Sequence, residues 1–272
     1  MKDILSDIIA YKRMEVERQK AAVPADVLRK TIENLPPART VSMKQSLAAS
    51  DTGIIAEFKR RSPSKGWIHA GAKAEDVCPD YERAGAAALS VLTDRHFFGG
   101  TLADLQTARA CTDLPLLRKD FVIDSYQLLQ ARACGANAVL LIAACLSPEE
   151  VMSLAGQAHA LGLEVLMEVH TPEELACLGP HVDMLGVNNR HLGSFHTDVR
   201  TSFDMLEALA ALPSQPEPPL LVSESGLSDA QTVRQLRRAG YRGFLIGENF
   251  MKSPHPGKAL SAFLQNLNGP CV

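Results

Sequence analysis

From Gly53 onward the sequence has a period, and that period restricts the fold more than any other feature. Short apolar runs recur at Ile54–Phe58, Ala88–Leu92, Leu114–Leu117, Ala138–Ala143, Glu164–Glu168, Met184–Val187, Leu220–Val222 and Gly243–Ile246. Most carry no polar alternation, as expected of strands covered on both faces. Helical patterns separate them, at Ala74–Ala84, Leu102–Ala110, Ser125–Cys134, Pro148–Leu161, Pro172–Leu178, Ser202–Leu212, Ala230–Ala239 and Lys258–Leu267. Gly85, Gly135, Gly162 and Gly240 fall where a helix must stop before the next strand. Eight β–α units in about 220 residues fit an α/β fold of the TIM (β/α)8 type, which typically spans ~250 residues. An open doubly wound sheet is the alternative, and no G-x-G-x-x-G follows any of the strands. No separate domain boundary is visible. The expectation is therefore a single domain over 1–272, with an N-terminal helical extension over 1–50 and the barrel over 53–267.

The extension reads as an amphipathic helix over Met1–Lys20, with Ile4, Leu5, Ile8 and Ile9 on one face and Tyr11 nearby. Lys12, Arg13, Glu15, Glu17, Arg18 and Lys20 read as a solvated charged face. The mixed signs argue against a membrane-binding basic face and for a cover over the barrel or a subunit contact. Val23-Pro24 breaks this helix, Leu35-Pro36-Pro37-Ala38 reads as a linker, and Met43 to Ala49 as a short helix.

Composition excludes several function classes. A formal charge of −3 on 272 residues makes nucleic acid a poor partner. Cys78, Cys111, Cys134, Cys145, Cys177 and Cys271 are scattered, without a C-x-x-C pair, so free thiols in a reducing cytoplasm are expected. The eight histidines show no ligand spacing and predict no metal. Asp3 and Asp7 interrupt the N-terminal apolar residues, which argues against a signal peptide, and no run is long enough to cross a membrane. A cytoplasmic protein is the expectation.

In this fold the chemistry sits where the strands end. Strand one ends in Glu57 and Lys59, two apart and so on one side. A loop with Ser62, Pro63, Ser64 and Gly66 follows. Strand three runs into Arg118-Lys119-Asp120-Phe121, strand five into Glu168-Val169-His170, and strand six into Asn188-Asn189-Arg190. Strand seven runs into Ser223-Glu224-Ser225-Gly226, and strand eight into Gly247-Glu248. One such end is a solvated strand terminus. Six converging on one rim predict acid–base chemistry, because crowded lysines and glutamates shift one another's proton affinity. Gly226 and Gly247, after the last two strands, predict a phosphate held by backbone N–H groups, against the simpler reading of turn glycines. At Glu248 the backbone N–H would serve, with the side chain turned away.

These motifs carry a resemblance. Ile55-Ala56-Glu57-Phe58-Lys59-Arg60-Arg61-Ser62-Pro63-Ser64-Lys65-Gly66 resembles the first-strand motif of the indole-3-glycerol-phosphate synthase family. So do Ser90-Val91-Leu92-Thr93-Asp94 with Phe97-Phe98-Gly99-Gly100, Leu117 to Phe121, and Leu166 to His170. Gly186 to Arg190, Ser223 to Gly226 and Phe244 to Glu248 continue it in order along essentially the whole chain. Departures are local: His191 after Arg190, Asn249-Phe250-Met251, and a proline-rich loop from Leu212 to Pro219. The resemblance implies closure of the indole ring of 1-(2-carboxyphenylamino)-1-deoxyribulose 5-phosphate with loss of carbon dioxide and water. It implies Lys119 as general acid, Glu168 as the later acid–base group, and Lys59 at the substrate carboxylate. Glu57 and Glu224 would orient the lysines, and Asn188 would bind sugar hydroxyls. Ser62, Ser64, Arg190, Ser225, Gly226, Gly247 and Glu248 would surround the substrate, most of them near its phosphate. Phe98, or less favourably Phe58, would stack on the aromatic ring, with core packing the alternative. No metal or organic cofactor is implied, and the partner is the small phosphorylated substrate of a monomer or weak homodimer. Two rivals remain. Another phosphate-sugar barrel enzyme, such as phosphoribosylanthranilate isomerase or the tryptophan synthase α subunit, lacks the Glu57/Lys59 pair with Lys119-Asp120-Phe121. A non-catalytic barrel subunit would have no need of the lysines and glutamates.

Overall fold

The computed structural model describes residues 4–35, 41–191, 193, 195–213 and 216–269. The start of the first expected helix with Asp3, the Pro36–Ala38 linker, Ser214 and Gln215 of the proline-rich loop, and Cys271 lie outside the described residues. Eight parallel strands close into a barrel: β1 (Ile54–Phe58), β2 (Ala88–Leu92), β3 (Leu116–Lys119), β4 (Ala138–Ile142), β5 (Glu164–Val169), β6 (Met184–Asn188), β7 (Leu220–Glu224) and β8 (Gly243–Ile246). Strand β1 pairs with both β2 and β8, which rules out the open sheet. A two-stranded antiparallel hairpin, Arg61–Ser62 with Gly66–Trp67, follows β1.

Strand side chains alternate between two compartments, as the pleat requires. One set packs outward against the helices: Ile54, Ala56 and Phe58 with Leu116, Val139, Leu141, Val165, Met167, Leu185 and Phe244. The other set fills the barrel interior: Ile55, Ala88, Leu117, Leu140, Leu166, Met184, Val222 and Leu245. Continuing the inward parity toward the C-terminal ends reaches Glu57, Lys119, Glu168, Glu224 and Gly247 two residues on from Ile55, Leu117, Leu166, Val222 and Leu245, and Asn188 four residues on from Met184. The apolar layers thus end in a polar layer at one mouth.

The extension closes both ends of the barrel. Helix α1 (Ile4–Ala22) presents Ile8 to the interior cluster, and helix α3 (Met43–Ala49) presents Met43 and Leu47 to the same cluster. Met43 and Leu47 are fully buried, and burying each is worth about 1.5–3 kcal/mol. Ser42 caps α3 by accepting from the Gln45 N–H. Glu164, at the start of β5, accepts from the Met43 and Lys44 N–H groups at 2.6 and 3.2 Å. Helix α2 (Ala25–Glu33) buries none of its residues.

The outer helices are α4 (Ala74–Ala84), α5 (Arg95–Phe98), α6 (Leu102–Cys111), α7 (Ser125–Ala133), α8 (Pro148–Ala160), α9 (Arg200–Ala210), α10 (Ala230–Ala239), α11 (Glu248–Met251) and α12 (Pro256–Asn268). Boundaries shift by a few residues from the sequence expectation in three places. Strand three starts and ends two residues later than Leu114–Leu117, because Arg118 and Lys119 belong to it. The segment expected as a helix over Pro172–Leu178 is a 3-10 turn over Pro172–Cys177, too short for an α-helix to propagate. Ala143, expected to end strand four, begins a short 3-10 turn. Cys78, Cys134 and Cys177 are buried thiols.

The charged face expected along α1 is corrected at two positions. Lys12 is buried at 2% exposure and ion-pairs with Asp94, Asp120 and Glu15 at 2.8, 2.9 and 2.5 Å. Lys20 bonds Asp124 at 2.6 Å. Asp94, Asp120 and Asp124 lie on barrel loops more than 80 residues away in sequence, so helical periodicity had no means of showing them.

Candidate active site

A cavity of about 400 Å³ opens at the C-terminal mouth of the barrel. Glu57, Lys119, Glu168, Asn188 and Glu224 line it, each placed by the inward parity of a different strand. Lys59, Ser62, Ser64 and Lys65 come from the loop and hairpin after β1, and Phe98 from α5. Arg190, Ser225, Gly226, Gly247 and Glu248 complete the far wall. Every residue to which the family resemblance gives a role at the substrate, apart from Phe58, lines this one cavity. Phe58 is a buried core residue with the Arg60 guanidinium 5.2 Å from its ring centre, so it does not reach the pocket.

Lys119 is the hub. Its Nζ lies 2.6 Å from Glu168 Oε2 and 2.8 Å from Glu224 Oε2. Burial pulls its proton affinity down, but Glu168, Glu224 and Glu57 outweigh burial and hold it well above the usual lysine range. The two carboxylates on Lys119 do not behave alike. Burial raises both, yet Glu168 ends well below the ordinary carboxylate value, because Lys119 and His170 stand beside it. Its Oε1 also accepts from Asn188 Nδ2 at 3.0 Å. Glu224 has only Lys119 to offset its burial and the charges of Glu168 and Glu57, and is pushed up to about 7. Around one lysine, one carboxylate is thus firmly charged and the other shares a proton near neutrality. Glu57 ion-pairs with Lys59, the pair expected from their two-residue spacing.

Two glycines belong to this carboxylate cluster. A Cβ at Gly247 would sit on the Glu57 carboxylate, and one at Gly186 on the Glu224 carboxylate. Gly247 was expected to be glycine for the sake of an anion; the space beside it is taken by Glu57. Gly226 differs: its φ is +74°, and a Cβ there would press on Thr197 across the cavity wall.

On the far wall, Arg190 joins three segments. Its Nη1 donates to Ser64 Oγ at 3.2 Å, its Nε to Thr197 Oγ1 at 3.2 Å, and its Nη2 to Glu248 Oε2 at 3.3 Å. The Glu248 side chain turns to Arg190 and Lys252. Asn189, neighbour of Asn188 in the motif, points outward and is structural. It donates to Ser223 Oγ and to the Ser225 carbonyl, both at 3.0 Å, and accepts from Ser202. Phe98 and Phe121 face each other with centroids 6.0 Å apart at one side of the cavity. Sequence reasoning missed Ile4, Leu5, Ile8, Thr197 and Phe195 as lining residues. For the first three the signal was present in the apolar face of α1; for Thr197 and Phe195, in an irregular loop, there was none.

A closed (β/α)8 barrel with a lysine gripped by two buried glutamates at its C-terminal mouth has the architecture of the TIM-barrel enzymes. The family model described as "Indole-3-glycerol phosphate synthase" matches residues 5–263. An indole-3-glycerol phosphate synthase of Bacteroides thetaiotaomicron is 57% identical over 98% of this chain and 100% of its own length. One of Azoarcus sp. is 44% identical over 96% of this chain and 99% of its own. The chain belongs to the indole-3-glycerol phosphate synthase family, and with it to the carboxy-lyases of tryptophan biosynthesis. Among solved structures, a mutant tryptophan synthase alpha-subunit from Pyrococcus furiosus superposes with a TM-score of 0.57 at 13% identity, over 80% of this chain and 98% of that one. Thiamine phosphate pyrophosphorylase from the same organism does so with a TM-score of 0.58 at 15% identity, over 84% and 100%. Likeness at that identity concerns the fold alone. Among the described residues, no helix is long and apolar enough to cross a membrane.

Proposed function

We propose that the Lys119–Glu168 pair carries out the proton transfers that convert 1-(2-carboxyphenylamino)-1-deoxyribulose 5-phosphate into indole-3-glycerol phosphate. The observation that carries the reading is the 2.6 Å contact between a partly buried ammonium and a buried carboxylate, both lining the cavity. Lys119 gives a proton to the ketone oxygen as the ring carbon bearing the carboxylate attacks. Carbon dioxide leaves and its electron pair stays in the ring system. The new hydroxyl then departs as water, and loss of a C–H proton restores aromaticity; Glu168 serves this second half. Lys59 takes the substrate carboxylate, with Glu57 holding it. Glu224 orients Lys119, and Asn188, which already bonds Glu168, also reaches the sugar hydroxyls. Phe98 lies against the aromatic ring. Ser62, Ser64, Arg190, Ser225, Gly226, Gly247 and Glu248 surround the chain that ends in the phosphate. Extension and barrel act as one domain, since Ile8, Met43 and Leu47 share a cluster with the barrel interior. The protein works in the cytoplasm as a monomer or weak homodimer.

Incubation with the carboxyphenylamino substrate, followed by indole absorbance or fluorescence, tests the reading directly. Glu168→Gln keeps size and hydrogen bonding but removes the proton acceptor, and turnover is expected to fall roughly 10²-fold or more. A loss confined to substrate affinity would make Glu168 a binding residue.

The two glycines separate phosphate binding from chemistry. Gly226→Ala is expected to raise KM with kcat little changed, the mark of lost uniform binding, and inorganic phosphate should compete less well. Gly247→Ala displaces Glu57 instead, so its kcat should fall. Equal effects of the two on both constants would refute this division of the pocket.

A further inference from the structure

The reaction consumes one proton from solvent in every turnover. Ring closure protonates the ketone oxygen, departure of water takes a second proton, and the C–H loss returns one. The carboxylate leaves as neutral carbon dioxide, so the balance is one proton in. The described lysines and carboxylates of the cavity can pass that proton among themselves, but a route from outside must replenish them.

His170 sits on the side of Glu168 away from Lys119. Its Nε2 is 3.3 Å from Glu168 Oε1, while Lys119 holds Oε2. Its Nδ1 is 3.5 Å from Glu174 Oε2, and its own backbone N–H donates to the same oxygen at 2.6 Å. The imidazole side chain is 6% exposed and that of Glu174 19%. Neither buried ring nitrogen completes a hydrogen bond in this orientation, and a small turn of the ring or carboxylate that aligns an N–H with its oxygen would make one. The titratable groups facing the ring are Glu168, near the end of β5 just before it, and Glu174 on the 3-10 turn after it, with Lys119 and Glu224 behind Glu168.

We propose that Glu174, His170 and Glu168 form a proton-entry relay, with His170 the positioning residue that returns to Glu168 the proton spent in each turnover. The inference rests on the acid–base role given to Glu168. The step balances as follows. Imidazolium Nε2–H passes its proton to Glu168 Oε1, leaving a neutral ring with its proton on Nδ1. Rotation of the carboxyl about its Cγ–Cδ bond carries the proton to the Lys119 side. Rotation of the ring about Cβ–Cγ turns the bare nitrogen toward Glu174, where a proton from solvent restores the imidazolium. The transfer to Glu168 runs after Lys119 has given up its own proton, because loss of the ammonium that holds Glu168 down raises that carboxylate's proton affinity. Burial works against a charged ring, but the two flanking carboxylates overcome it and raise His170 to about 9, so the donor form dominates at neutral pH. On folding, that raised value adds stability below the ordinary histidine value that is lost as pH climbs through about 9.

His170→Asn, which cannot carry the proton, is expected to lower kcat about 10-fold or more with KM within about twofold, at the low end of general acid–base effects. The parent's kcat should fall on the alkaline side as the imidazolium is lost, and that limb should disappear in the variant. Solvent deuterium should slow the variant more than the parent. A variant that keeps the parent's kcat and pH profile overturns the relay, as does one that loses activity while retaining the alkaline limb. If His170→Asn fails to fold, Glu174→Gln leaves the imidazole in place and should shift the same limb downward; an unmoved limb also overturns the proposal. Glu168→Gln, run alongside, separates the two levels. Full activity there removes the acid–base role of Glu168, whereas an inactive Glu168→Gln beside a normal His170→Asn removes only the relay.

Discussion

Lys119→Met is expected to abolish ring closure while leaving substrate binding largely intact. The thioether matches the lysine stem in volume and bulk, so the cavity walls survive. It has no proton to give and no charge. In the free protein three carboxylates hold the Lys119 proton tightly, which at first sight makes it a poor acid. The group it serves settles the matter. As the ring carbon attacks, the ketone oxygen becomes an alkoxide, a far stronger base than an amine, and the transfer runs downhill. The same ammonium also stabilises the negative charge as it forms. Loss of a general acid alone costs 10²–10⁴-fold; loss of the charge adds to it, so kcat should fall by at least about 10³-fold. Folding should suffer less than burial suggests. Glu224 stands near 7 already, and with the lysine gone it takes up a proton, leaving Glu168 with Asn188 and His170 for company. Stopped-assay turnover and equilibrium binding of a substrate analogue check both halves. Near-normal turnover sinks the assignment, and lost binding with normal turnover at saturation makes Lys119 a binding residue.

The barrel and most of the cavity were legible in the chain because both follow from periods. Eight strand–helix repeats imply closure, and the polar residues that end the apolar strand runs include Glu57, Lys119, Glu168, Asn188 and Glu224. What escaped were partnerships between segments far apart in sequence. Arg118 looks like a residue that ends a strand, and strand three was placed too early for that reason. In fact it is buried within β3, where Asp120, Thr93, Gln130 and the Gln127 carbonyl satisfy its guanidinium. Those partners come from three loops or helices that no local pattern links. His170 shows no ligand spacing, and its meaning appears only when the 3-10 turn brings Glu174 back beside it. Gly247 was read from its place in the fold as an anion site; its second reason to be glycine, the Glu57 carboxylate of neighbouring β1 packed against its Cα, lies on another segment.

Lys12 is the clearest of these hidden partnerships, and Lys12→Met is expected to loosen α1 from the mouth of the barrel. One ammonium answers Glu15, Asp94 and Asp120, and Arg118 answers Asp120 from the other side. Asp94 caps α5, the helix carrying Phe98, through the Phe97 and Phe98 N–H groups, and Asp120 adjoins Lys119. Lys12 therefore ties α1 to two loops that build the cavity. Removing one partner of a buried pair costs about 3–5 kcal/mol, because the charges left behind have no solvent. Here the structure has an escape that caps the cost. Helix α1 buries only Ile8, Lys12 and Val16, so it can lift off and let water reach Asp94 and Asp120. The loss is then limited to the docking energy of α1, to which Ile8 and Val16 contribute about 1.5–3 kcal/mol each before the entropy of ordering is subtracted. A fall of about 3 kcal/mol in urea-unfolding stability is expected. Because Ile4, Leu5 and Ile8 line the cavity, KM should rise with it. Acid supplies an independent check. Burial raises Asp120, but Lys12 and Arg118 outweigh burial and bring it to about 2 from 3.8. A carboxyl depressed in the folded state contributes stability above its unfolded value and loses it as pH falls through the folded one. The parent should therefore lose about 2 kcal/mol from this group between pH 4 and 2, at about 1.4 kcal/mol for each unit of depression. Lys12→Met, in which Asp120 is no longer held down by the ammonium, should lose less over the same window. Parallel acid profiles for the two proteins, or an unchanged urea midpoint in the variant, would show that the ammonium contributes nothing to the fold.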